Sequence, residues 1–268
     1  MQEITSALVV FVVLLVGTAI GWFVKPLLPE EHRAHETVQL IQLVIGMLVT
    51  FAALVLGLLT ASAKNSFDTV NNDFRAYASQ LIQLDQTLRE YGKSADPVRS
   101  VLRSYTAAAI ASTWPNEPAP RGDYYPRQPF PGTDYNRLES IELGDMLGVA
   151  NIEARNLVTQ NGAQQRALAQ ILGQFDALMA ARWKLIEEAH SSISRPFLMT
   201  LAFWLFVIFL SFGLIAPRNA LALLMITLGA VSIASAMYVI VDLDTPLTGP
   251  LTASSQPMRD ALDHLGRH

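Results

Sequence analysis

Four uncharged apolar runs constrain this chain more than any other feature. They lie between Glu3 and Lys25, Glu36 and Lys64, Arg195 and Arg218, and Arg218 and Asp242. Each is about 21 to 27 residues long, and a helix needs about 20 to cross the hydrocarbon core of a bilayer. Such a helix satisfies its own backbone hydrogen bonds, which lipid cannot do for it. The expected fold is therefore all-α, with two membrane helices at each end of the chain and a polar stretch between. By sequence, the spans occupy residues 1–63 and 196–242, a soluble helical bundle occupies 64–195, and 243–268 form a C-terminal tail.

Composition excludes several functions. The net charge of −4 offers no basic field for nucleic acid. With no cysteine there are no disulfides, thiolate metal sites or thiol nucleophiles. No phosphate loop, dinucleotide fingerprint or nucleophile elbow appears, so an enzyme is not expected and no cofactor is called for. The spans contain no Asp, Glu, Lys, Arg or His. Proton relays and coupled carriers usually need such groups at membrane depth, whereas a passive pore can do without them. The first run starts without basic residues and is too long for a signal-peptide core, so it reads as a retained anchor. The distribution of Lys and Arg favours a cytoplasmic N-terminus, bundle and C-terminus in a bacterial inner membrane.

No glycine or proline interrupts the chain between the second span and Gly92, so one helix from about Thr37 to Tyr91 is expected. Its outer half carries a seam at alternating steps of three and four: Phe67, Val70, Phe74, Tyr77, Leu81, Leu84, Leu88 and Tyr91. That is the heptad pattern of a packed, coiled-coil-like helix. Inside the span the same frame gives Gly46, Val49, Ala53, Leu56, Thr60 and Ala63, so it turns from bulky to small. A stripe of small residues runs beside it: Gly46, Thr50, Ala53, Gly57 and Thr60. Two readings stay open: close packing of helices over small residues, or the lining of a pore. A shorter helix follows Pro97 and stops at Trp114-Pro115, and a proline-rich loop comes next. A helix capped at Thr133 or Asp134 is expected to run to about Gln160. The last bundle helix spans about Ala163 to Ser194, pairing antiparallel with the seam.

The short loop before the second span holds Glu30, Glu31, His32, Arg33, His35 and Glu36. A zinc site there is one reading, since histidines three apart can share a helical face. The others are a charged pore mouth and a solvated loop with Glu36 near a helix N-terminus. Asp242 and Asp244 close the fourth span, where a carboxylate opposes the helix dipole and needs a partner. Lys64 and Arg195 are the expected partners.

Several segments resemble the bestrophin-like domain family. They are Leu28-Pro29-Glu30-Glu31-His32-Arg33 with Glu36-Thr37, the run Ala53-Leu54-Val55-Leu56-Gly57-Leu58, and Ala63-Lys64-Asn65-Ser66-Phe67-Asp68. Later come Arg182-Trp183, Phe212-Gly213-Leu214, Ala216-Pro217-Arg218-Asn219, and Asp242-Leu243-Asp244-Thr245-Pro246 with Gly249. The resemblance implies kinship with bestrophins, oligomeric anion channels with four spans per subunit and long helices continuing below the membrane. It implies a homo-oligomer, a pentamer by analogy, in a lipid bilayer, passing inorganic ions. Some eukaryotic relatives place a calcium clasp just after the fourth span, which makes Asp242 and Asp244 a candidate cation site. The leading expectation is an oligomeric ion channel or pore for anions. The alternative is a non-conducting membrane scaffold whose bundle binds a partner.

Overall fold

A computed structural model describes residues 2–27, 29, 35–126, 139–190, 193, 195–247 and 249–267. Among these, every regular element is helical. In order they are α1 (Gln2–Val24), α2 (His35–Tyr91), α3 (Asp96–Thr113), α4 (Ile141–Arg155), α5 (Gly162–Glu188), α6 (Arg195–Ile215), α7 (Ala220–Leu243) and α8 (Gln256–Leu265). Four of them, α1, α2, α6 and α7, are long and apolar enough to cross a membrane. The chain divides into two compact units: 1–66 with 192–244, and 67–191 with 245–268.

In the first unit α1 packs against both α6 and α7. The α1–α6 pair rests on glycine. A Cβ on Gly21 would run into the Leu210 carbonyl oxygen, and one on Gly213 into that of Thr18. Gly17 meets Phe206 in the same row. Small residues four apart let backbones approach in lipid, where no hydrophobic force draws helices together. Thr18, almost wholly buried, donates to Leu14 O at 3.1 Å and is 3.3 Å from Phe209 O.

The second unit is the bundle. α2 is a single helix of 57 residues, about 85 Å at 1.5 Å per residue. All of the seam except Phe67 is buried, with Leu81, Leu84 and Leu88 at 0% exposure. Three cross-links show α5 running antiparallel to it: Lys184 to Asp73 at 2.9 Å, Gln170 to Thr87 at 3.5 Å, and Gln164 to the Tyr91 carbonyl at 3.2 Å. As the residue number falls on α5 it rises on α2. Gly92, at φ 112°, ends α2 in a conformation that favours glycine. Pro97 then sits in the first turn of α3.

Three boundaries differ from the sequence reading, one of them the end of α4, which stops at Arg155 instead of about Gln160. α4 begins later, with Ser140 as its N-cap accepting from Leu143 N at 3.2 Å. Thr133 and Asp134 lie outside the described residues. α5 starts where Asn161-Gly162 predicts, with the Asn161 side chain accepting from Gln164 N at 2.8 Å, but it ends at Glu188.

The segment read only as a tail contains α8. Its residues Met258, Ala261, Leu262 and Leu265 are buried in the bundle core beside α3. Both its ends are tied down. Arg259 binds Glu117 at 2.9 Å near the start, and Arg89 donates to the His264 carbonyl at 2.6 Å near the finish. The same Arg89, together with Arg99, holds the fully buried Asp85 carboxylate at 2.7 and 2.8 Å. A buried charge needs such partners, because desolvation alone would cost several kcal/mol.

Candidate functional site

The membrane half of α2 is the element on which the functional readings turn. The face that its own unit covers is marked by Ile45, Ala52, Leu59 and Ala63. At about 100° per residue these four lie within about 40° of one another. The small stripe, Gly46, Thr50, Ala53, Gly57 and Thr60, sits about 60 to 140° round from Ile45. All five are exposed, and a Cβ on Gly46 or Gly57 would meet nothing within 4 Å. Further round, at about 160 to 240°, come Leu43, Leu54, Met47, Leu58 and Phe51, all more than half exposed. Three faces therefore adjoin: one covered, one small and bare, one bulky and bare.

The stripe's chemistry is mild. Thr50 donates to Gly46 O at 2.9 Å and Thr60 to Leu56 O at 2.8 Å, so each hydroxyl proton is spent on the helix itself. What faces outward is hydroxyl lone pairs, a methyl and bare backbone. Within this chain, the tight helix packing that small residues allow is seen at Gly17, Gly21 and Gly213, which the sequence reading did not single out. The signal was present: Gly17 and Gly21 are a glycine pair four apart inside an apolar run.

Of the proposed mouth, His32 and Arg33 lie outside the described residues, as does the side chain of His35. Glu36 is exposed in the first turn of α2. Asp242 and Asp244 are buried, at 0% and 6% exposure. Asp244 accepts from Ile193 N at 3.2 Å, so it ties the end of the fourth span to the approach to the third. Lys64 is exposed, and the Arg195 side chain is outside the described residues. Among the described residues no three His, Cys, Asp or Glu side chains come together in a way that could hold a metal.

The bundle carries its own polar features. Tyr77 and Tyr105 are buried with hydroxyls 2.5 Å apart. Burial, partly opposed by the positive charge of Arg182, pushes the Tyr105 phenol above its ordinary range. Arg182, itself buried, donates to Ser140 O at 3.1 Å. Near the end of α5, hydrogen bonding to Asp73, then burial, raises Glu188 above the usual carboxylate range, and Lys184 only partly opposes this.

Comparison with known proteins agrees with this architecture. No curated protein sequence matches. Variants of a bacterial bestrophin homologue from Klebsiella pneumoniae superpose with TM-scores of 0.66 and 0.65 at 14% identity, covering all of this chain and 99 to 100% of theirs. A crystal structure described only as a membrane protein gives 0.66 at 15% identity, over 97% of this chain and 99% of its own. At such identities the likeness establishes the fold. The family model for the bestrophin-like domain matches residues 10–258, nearly the whole sequence, and the chain belongs to that family.

Proposed function

We propose that this membrane protein is a homo-oligomeric ion pore, passing anions, with the membrane half of α2 facing the axis. One observation carries the reading. The small stripe is left bare by its own chain, although it lies between a covered face and a bulky face suited to lipid. Lipid-facing positions gain nothing from being small, whereas a neighbouring subunit or an ion path does. The four spans and the long helix continuing beyond them support the same reading, and the family's channels supply the analogy for oligomer and ion. On this reading the N-terminus, bundle and C-terminus are cytoplasmic.

Gly57→Leu is the test, because any side chain there takes space that is now open. Flux into liposomes and native size are measured for this variant and for Leu58→Ile, which keeps volume on the bulky face. The expected result is loss of flux with the oligomer intact for Gly57→Leu, and no change for Leu58→Ile. Loss of the oligomer instead would place the stripe at a subunit contact. Wild-type flux and size in Gly57→Leu would turn the stripe to lipid and end the proposal.

A further inference from the structure

We propose that the first unit holds one anionic phospholipid, with an acyl chain in a groove between α2, α6 and α7 and its headgroup on Arg218. The groove is an open-sided cavity of about 320 Å³, at the lower end of the range that small-molecule sites occupy. Its walls include Ile45 of α2, Phe212 and Ile215 of α6, and Ala222, Met225 and Ile226 of α7, with Gln42 the single polar side chain among the lining residues. An apolar groove between membrane helices takes a lipid tail without leaving polar groups unsatisfied.

The choice of an anionic headgroup comes from the rim. Lys25 donates to the carbonyls of Ile215 and Ala216 at 3.3 and 2.7 Å, and both of these residues line the groove. Arg218 follows Ala216 by two residues, is exposed, and donates to Trp22 O at 3.1 Å. Lys25 therefore sits on the carbonyls that close the groove, and Arg218 stands in the turn joining α6 to α7, two residues beyond its last α6-side lining residue. A guanidinium matches phosphate with paired N–H donors, and basic recesses between membrane helices take acidic headgroups in this way. On α2 the described carboxylate Glu36 is six residues before Gln42 and about 120° from it round the helix, so it lies on a different face. This assignment is independent of whether the protein conducts.

The probe is phosphatidylglycerol, offered with phosphatidylcholine in nanodiscs, and the readout is lipid retained per chain by native mass spectrometry. Wild type is expected to retain phosphatidylglycerol over phosphatidylcholine. Arg218→Gln removes the cation from an exposed position, and Ala222→Trp fills the groove. Each is expected to lower retention by about tenfold, the equivalent of one 1.4 kcal/mol step in affinity. Leu221→Trp puts the same indole on the exposed neighbouring position and should leave retention unchanged. Equal retention of the two lipids, or unchanged retention in Arg218→Gln, overturns the proposal. So does a change of oligomer mass in Ala222→Trp, which would make the groove a contact between copies. Should Ala222→Trp not fold, Arg218→Gln decides alone.

Discussion

Glu188 and Asp73 are two carboxyls brought together across α5 and α2, with Lys184 reaching both at 3.7 and 2.9 Å. One oxygen of each is buried and, with both groups ionised, has no donor beside it. A proton on Glu188 supplies the donor, which is why hydrogen bonding to Asp73 and then burial raise its pKa. The folded chain holds that proton more tightly than the unfolded chain. The contribution of the pair is therefore whole below the unfolded carboxylate value, about 4.3, and is lost as pH rises through the raised folded value. Glu188→Gln keeps a donor at every pH. It should melt above wild type at about pH 8 and show no advantage at about pH 4; an equal difference at both would detach Glu188 from Asp73. The seam offers a second residue-scale test. Leu81 and Leu84 are wholly buried, so either one changed to alanine should cost about 2 to 5 kcal/mol. Gln83 and Gln86 are exposed and should tolerate alanine within about 0.5 kcal/mol. Thermal melts in detergent rank the four.

At the scale of elements, what could be read from sequence followed from pattern length. The seam of α2 was legible because seven buried positions repeat at three and four while their neighbours stay polar. The antiparallel partner was legible because α5 has its own stripe, of which Ile171, Phe175, Leu178 and Leu185 are buried. The start of α4 was not, since Ser140 caps it no more conspicuously than Thr133 or Asp134 would. Small residues are ambiguous in a different way. Sequence alone cannot tell a small face that touches a helix from one left bare, and in this chain both kinds occur. Gly46 and Gly57 have open space where Gly21 and Gly213 have backbone atoms. This contrast gives a prediction. Gly213→Ala puts a methyl into the Thr18 carbonyl, and backbone cannot move aside as a side chain can. Overpacking of this kind costs about 1 to 3 kcal/mol or more. The variant should lose thermal stability in detergent, whereas Gly46→Ala, with nothing within 4 Å, should not. Equal melts for the two would mean that α1 and α6 do not pack through glycine.

The whole molecule is two units sharing one helix, and the chain's last segment belongs to the second of them. α8 was legible in principle, since Met258, Ala261, Leu262 and Leu265 follow the i, i+3, i+4, i+7 spacing of a packed face. It is short, ten residues, and charged between those positions, so it reads equally as a solvated tail. What decides is tertiary: the core beside α3, and the arginines that bind Asp85 and the α8 carbonyl together. Leu262→Asp would place a carboxylate against that core, and a charge buried without a partner is not tolerated. The expected response is release of α8 rather than accommodation. Hydrogen exchange across 256–267 should rise towards that of an unfolded segment, because the local opening free energy falls to that of a frayed terminus. Asp263→Ala, on the exposed face of the same helix, should leave exchange unchanged. In α1, α6 and α7, which belong to the other unit, exchange should be the same in both variants. Increased exchange there in Leu262→Asp would show that the two units do not open independently, and unchanged exchange across α8 would show that its apolar face does not hold it in place.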